Sequence, residues 1–520
     1  MVVAPHHLAA HAGVRVLEDG GNAIEAMIAA ASTIAVAYPH MNSIGGDNFW
    51  LVHEPGNDPI GIDACGGAAK AADIAFYRNR GFDTIPSRGP LAALTVAGAV
   101  SGWQEALRIS TESWGGRLPL QRLLEDAIFL ARDGVSVTRT LAENLRLKNS
   151  ETKIAPGFSA TFCPDGKFPA EGDRFRQSRM AHTLENLGRH GLDSFYRGDL
   201  AAAVAADLEI AGSPLRLSDL ERHVALRVNP LSVRVAGHRV YNLPPPTQGL
   251  ASLMLLGIFD RLGVCEAESF DYIHGIVESS KRAFLVRDNY VTDPDYMLKD
   301  PAVFLDPRVL DEMASGIDRS SALPWPAEVS NGDTVWLGAI DSGGRAVSFI
   351  QSIYWEFGSG MVLDQTGITW QNRGISFSLD ENHHNSLKPR RRPFHTIQPA
   401  LAHLSDGRVM AYGTMGGEGQ PQTQAMLFTR QVLYGQSVQQ AVTAPRWLLG
   451  RTWGAESTTL KIENRFDAEV VNQLRQAGHN VEIVDEFDEI MGHAGALVHH
   501  PSGLIEGASD PRSDGQAVGF

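Results

Sequence analysis

Only three cysteines occur in these 520 residues, and Cys65, Cys163 and Cys265 lie far apart. An odd, scattered set supports neither a disulfide framework nor a CxxC metal site, and it suits a reducing compartment. No stretch of about 18 apolar residues is present, so no membrane span is expected. Positive charge is scarce: the formal net charge is −15. That balance argues against a nucleic-acid partner and against attraction to an acidic membrane surface. The densest basic run, Arg390-Arg391-Arg392, sits between Pro389 and Pro393. It reads as a solvated loop with acidic neighbours, contributing at most to an anion site. The first residues, Met1 to His7, lack a basic stretch followed by an apolar one. No secretory leader is therefore expected, and the expected location is the cytoplasm.

Hydrophobic residues make up 43% of the chain and charged residues 20%, ordinary for a globular protein able to bury a core without staples. The spacing predicts a first helix over about His7 to Leu17, stopped by Gly20-Gly21. Asn22, with Glu25 three residues on, reads as a capping box for an Ala-rich helix over Ala23–Ala37. A turn at Ser43–Asp47 leads into a strand over Phe49–Val52. Ser101–Phe284 reads as mostly helical, with apolar periodicity at Leu118–Arg132, Leu200–Leu208, Leu250–Leu262 and Phe270–Phe284. Pro244-Pro245-Pro246 breaks a strand ahead of one of these helices. After about Pro301 the chain becomes loop-rich, and Ser315–Asp333 reads as exposed and flexible. Strands follow at Thr334–Ile340 and Ala346–Gln351, joined by a hairpin signal at Asp341–Arg345. More are expected near Ala400–Leu404, Val409–Tyr412, Val481–Val484 and Ala496–His499, with helices at Thr423–Leu433 and Ala468–Gln476. Helices covering stacked sheets is the simplest architecture that buries such faces.

Chemistry concentrates at Asn331-Gly332-Asp333-Thr334. In an intact chain Thr334 is an ordinary residue at the start of a strand. If the Asp333–Thr334 bond is cut, it carries a hydroxyl nucleophile and an amine base on one residue. Acyl transfer also needs donors for the oxyanion. Gly413-Thr414-Met415-Gly416-Gly417-Glu418-Gly419 follows a strand and precedes a helix starting near Pro421 or Thr423. It can aim backbone N–H groups at one point, or it can be a plain glycine-rich turn. A nucleotide loop is disfavoured, since no GxxxxGK[ST] follows.

These features together resemble the γ-glutamyltranspeptidases of the N-terminal-nucleophile hydrolases. The matches are Gly20-Gly21-Asn22-Ala23, Pro39-His40 with Ile44-Gly45-Gly46, Thr95-Val96-Ala97-Gly98, Pro244-Pro245-Pro246, Asp333-Thr334, Phe357-Gly358-Ser359, Gly416-Gly417 and Gly507–Arg512. The resemblance implies an α/β fold of the four-layer αββα type. It implies self-cleavage between Asp333 and Thr334 into a large segment, 1–333, and a small one, 334–520, that form one unit as an α/β heterodimer, with further oligomerisation left open. It makes Thr334 the nucleophile and Gly416 and Gly417 the oxyanion hole, with Ser352 positioning the nucleophile. No metal or organic cofactor is implied.

The glutamyl clamp of that family is not matched. Cys65 stands where an arginine holds the glutamyl carboxylate, and Ser376, Arg373 and Tyr354 stand where the α-amine is held. His395-Thr396 replace two serines. Arg373 offers a planar fork suited to a carboxylate, and Tyr354, His395 and Thr396 add donors, so a small anionic acyl group fits this chemistry. Each also has an ordinary structural reading: an ion pair for Arg373, a backbone-satisfied loop for His395, a strand edge for Thr396, core packing for Tyr354. Cys65, with no visible base partner, reads as a small buried residue. Met1–His7, Val347–Tyr354 and Met415–Gln424 look like the oxamate amidohydrolase branch, which acts late in purine (uric acid) breakdown. The expected activity is thus self-processing hydrolysis of a small anionic amide. The alternatives are a γ-glutamyl hydrolase or transferase, a cephalosporin-acylase-like enzyme, or an unprocessed anion-binding protein without activity.

Overall fold

The computed structural model describes residues 1–325, 333–450 and 457–520. Residues 326–332, within the stretch expected to be flexible, lie outside the described residues, Asn331 and Gly332 of the expected cleavage site among them.

Two antiparallel sheets form the centre. The first has seven strands in the order Gln516–Val518, Val2–Ala4, Asp333–Ile340, Ala346–Tyr354, Asp47–His53, Ile60–Ala64, Leu226–Val228. The second has six, in the order Ile505–Ser509, Ala494–His499, Val409–Thr414, Ala400–His403, His238–Asn242, Leu231–Val235. Period-two alternation sorts their side chains between layers. Val335, Leu337 and Ala339 join the core under the helices His7–Glu18 and Ala23–Ala37. Trp336 and Ile340 point the other way and meet Phe49, Leu51, Ile350, Leu401 and Leu497 between the sheets. A third core lies between the second sheet and the helices Gly249–Asp260, Phe270–Tyr290 and Gln420–Phe428. Three cores between four layers make an αββα sandwich.

The first two helices are placed as the sequence predicts. The Asn22 side chain accepts from the Ile24 and Glu25 amides, and Glu25 closes the box on the Asn22 amide. All fifteen residues of Ala23–Ala37 are buried, so small side chains let this helix sit tightly on its neighbours. Other expectations need correction. The stretch expected to be mostly helical contains three strands between Leu226 and Asn242, where β-branched and aromatic residues pair with the second sheet and the edge of the first. Val481–Val484 belongs to a separate three-stranded sheet. Pro301–Leu305 and Pro307–Ser315 form helical turns capped by Asp300 and Asp306 rather than loop. Arg391 is buried, donating to the Ser386 and His384 carbonyls and to Thr292, so the basic run is only partly solvated. Among the described residues no helix is long and apolar enough to cross a membrane.

Candidate active site

Thr334 enters the first sheet at the second position of its strand and is buried. Its neighbours pair in register, Val335 with Gln351 and Asp333 with Tyr354, and a bulge lies between Gln351 and Tyr354. Ser352 sits in that bulge and pairs on its other side with Asp47. Three strands thus bring Thr334, Ser352 and Asp47 to the same level of the sheet. By the parity of Trp336, Ile350 and Phe49, all three face the inter-sheet layer. The Ser352 hydroxyl accepts the Tyr354 amide at 2.8 Å, which fixes the bulge. Bulges of this kind re-aim side chains beside active sites. Tyr354 itself has φ 81, a left-handed backbone that costs on the order of 1 kcal/mol and turns its ring toward Arg373.

The glycine loop comes from the second sheet. Trp336, two residues after Thr334, lies against Gly413, where a Cβ would stand 2.2 Å from the indole. That close approach brings the strand that carries Thr334 against the strand that runs into Met415 and the two glycines. Gly416 has φ 123 and Gly417 φ 50, conformations that glycine adopts without penalty. A short turn over Gly417–Gly419 then opens the helix Gln420–Phe428. The Met415 amide is spent on the His493 carbonyl at 3.2 Å. A turn of this shape at Gly416 and Gly417 is one that can aim consecutive backbone amides at a single point, each such donor being worth about 3 kcal/mol to an oxyanion.

A buried group of polar side chains around Arg373 accompanies these elements. Arg373 is buried, with its guanidinium 3.6 Å from the centre of the Tyr354 ring. Its Nη1 donates to the Thr396 hydroxyl at 3.4 Å, while Nε and Nη2 meet no acceptor among the described residues. Burial lowers its pKa to about 10, and Tyr354, Asp47 and Cys65 oppose that shift, so it stays charged at neutral pH. His395 is buried against Phe49, 3.3 Å from Asp47 Oδ2; burial and the Arg373 and Arg392 charges hold it neutral, its pKa well below the usual range. Asp47 accepts the Gly66 and Gly98 amides through Oδ1, at 3.1 and 2.9 Å. Burial pushes its pKa up to about 7 against the opposing pull of those amides and of Arg373.

Every described residue singled out in the sequence is thus accounted for. Arg373, Tyr354, His395 and Thr396 come together, and Arg373 has no structural carboxylate within ion-pair distance among the described residues. Ser376 does not join them: its hydroxyl donates to the Arg373 and Phe394 carbonyls. Cys65 is buried with its thiol pKa well above the usual range, chiefly through burial, so it is no nucleophile. It forms part of the wall of a 360 Å³ cleft with Asp63, Val96, Asp293 and Arg392. Sequence reasoning missed Asp47, because its partners Gly66 and Gly98 are remote in the chain. One further group, His274, Glu278 and His479, has metal-ligand character. Its contacts fit a hydrogen-bond network better than an ion: the two imidazoles bond each other at 2.8 Å, and Glu278 already takes Lys281 at 2.7 Å and Arg282 at 3.3 Å.

The Gamma-glutamyltranspeptidase family model matches residues 9–520. The chain is 54% identical over 520 residues to a protein named oxamate amidohydrolase proenzyme from Klebsiella pneumoniae subsp. pneumoniae, covering 100% of this chain and 98% of the relative. It is 40% identical over 524 residues to a glutathione hydrolase-like proenzyme from Bacillus subtilis, covering 100% and 98%. Among solved structures, a cephalosporin acylase from Bacillus halodurans superposes with a TM-score of 0.90 at 33% identity, over 99% of this chain and 94% of the other.

Proposed function

Because this chain belongs to the γ-glutamyltranspeptidase family and is an amide-cleaving hydrolase, we propose that it matures by cutting its own Asp333–Thr334 bond and then hydrolyses oxamate to oxalate and ammonia. Residues 1–333 become a large segment and 334–520 a small one, held together by the sheet to which both contribute. In maturation the Thr334 hydroxyl attacks the Asp333 carbonyl, and the acyl group moves from nitrogen to oxygen and so frees the α-amine. Water then hydrolyses the ester, leaving Asp333 as a terminal carboxylate and restoring the Thr334 hydroxyl. In turnover that amine accepts the hydroxyl proton as the oxygen attacks the amide carbon. The Gly416 and Gly417 amides hold the oxyanion, and Ser352 steadies the strand bulge opposite. The C–N bond breaks, nitrogen leaves as ammonia with the transferred proton, and water cleaves the oxalyl ester to regenerate the hydroxyl.

The observation that carries the substrate is Arg373: a buried cation with two N–H directions unspent, next to the neutral His395 and the Thr396 hydroxyl. A carboxylate bonded directly to the scissile amide carbon satisfies that fork at short range from the glycine loop. The name of the Klebsiella relative agrees with this reading. Replacing Thr334 with Ala is expected to give a single uncut chain on a denaturing gel and no ammonia from oxamate. A Thr334→Ala protein that still divides or still releases ammonia would refute the mechanism. Faster turnover of a γ-glutamyl anilide than of oxamate would refute the substrate.

A further inference from the structure

Gln248 ties together the two places where the proposed substrate is held. Its side-chain amide nitrogen donates to the Thr396 carbonyl and, at 2.7 Å, to the Gly417 carbonyl. Its amide oxygen accepts from Arg287 Nη1 at 3.0 Å. This orientation is the only one chemistry allows, since a guanidinium has no acceptor and two carbonyls have no donor. One NH2 group thus spans the oxyanion loop and the anion pocket. With hydrogens 120° apart, it holds the two carbonyl oxygens about 4.5 Å from each other.

The clamp is itself held from several sides. Arg287 is buried, stacks 4.1 Å from the Phe284 ring, and donates from Nη2 to Glu418 at 2.9 Å. Arg287 therefore grips the glycine loop twice, directly at Glu418 and through Gln248 at Gly417. The Gln248 backbone adds a third tie, donating to the His395 carbonyl at 2.9 Å, while the His395 amide returns to the Pro246 carbonyl at 2.8 Å. Residues 246–248 are thereby stitched to 395–396 along both directions.

We infer that Gln248, fixed by Arg287, is a positioning residue that sets the length of acyl group this enzyme accepts. The inference rests on the function proposed above, in which Gly416 and Gly417 hold the carbonyl oxygen and Arg373 with Thr396 the carboxylate. In oxamate these two groups are directly bonded. Each methylene inserted between them adds roughly one carbon–carbon bond, about 1.5 Å, which a fixed spacing does not absorb. Length selection thus follows from the tie between the two subsites.

The test uses mature protein and a ladder of amides: oxamate, malonamate and succinamate. Wild type is expected to favour one length sharply in kcat/KM. Gln248→Glu keeps the acceptor for Arg287 but loses both donors, and the preference between neighbouring lengths should fall by about tenfold or more. Arg287→Lys should weaken the preference less, since it retains one donor. A merely structural role would lower all three amides in parallel and leave the ratios unchanged, which overturns the inference, as does a wild type without length preference. Calorimetric binding of oxalate, malonate and succinate reads the same ladder without turnover. If no amide is hydrolysed, the functional reading fails, while loss or retention of dicarboxylate discrimination in the variants still decides the clamp. Should Gln248→Glu not fold, Arg287→Lys carries the test through both ladders.

Discussion

Arg512 and Arg373 are both buried arginines, and they are used in opposite ways. Arg512 is saturated. It donates to Glu463 at 2.7 and 2.8 Å and to Asp510 at 3.0 Å, and Asp510 is paired again with Arg446 at 2.6 Å. Those cations hold the Asp510 carboxyl below its usual range despite burial. Arg373 has an aromatic face, one long bond to Thr396 and two unspent N–H directions. The first cluster joins the end of the second sheet to the separate small sheet, and its groups satisfy one another. On the proposed function, the second keeps its charge for the substrate carboxylate. A buried cation that lacks its carboxylate marks a ligand site more clearly than one in a complete network.

Replacing each arginine should separate these roles. Arg373→Met is expected to lower kcat/KM for oxamate by about 100-fold or more, the loss of a desolvated charge-assisted pair. Its melting temperature should hold or rise, because the folded protein no longer buries an incompletely paired cation. A large loss of stability without loss of activity would reverse the assignment. Arg512→Met is expected to destabilise the fold by about 3–5 kcal/mol in denaturant unfolding, since Glu463 and Asp510 keep their charge without it. The surviving folded fraction should keep its KM.

Asp47 sharpens the same comparison through pH. Its folded pKa near 7 lies above the unfolded value of about 3.9. Below both values it makes no demand on the fold, and stability is lost as pH rises from about 3.9 up through about 7, the range in which the unfolded chain has ionised this group and the folded protein still holds it protonated. Ionisation in the folded protein places a negative charge near Arg373 and weakens its pull on an incoming anion. KM for oxamate is therefore expected to rise as pH passes about 7, and Asp47→Asn should flatten that step. A wild-type KM that falls with rising pH over this range would contradict the assignment. The smallest effect belongs to Ser376→Ala. Its hydroxyl bonds only backbone carbonyls among its described contacts, so KM should move less than about twofold, with a stability loss of about 1 kcal/mol.

Local signals were the legible ones. The Asn22–Glu25 box, the Ala-rich helix and the Thr334 strand are each written within a few residues, and the structure places them there. Val2–Ala4 was not legible as a strand: three residues carry no alternation, and its partners are Gly338 and Ala339 on one side and 516–518 on the other. Arg373, Tyr354, His395 and Thr396 were found because of what they replace in a recognisable pattern. Gln248 and Arg287 were not, because Gln248's side-chain partners Arg287, Thr396 and Gly417 lie 39, 148 and 169 residues away. Nothing in a glutamine after three prolines announces a clamp.

Whether Thr334 works as a chain terminus is read from the intact mass of the purified protein. Two masses are expected, the smaller belonging to a fragment that begins at Thr334, in a preparation that releases ammonia from oxamate. A single mass for the unbroken 56.3 kDa chain in a preparation that hydrolyses oxamate would contradict that role.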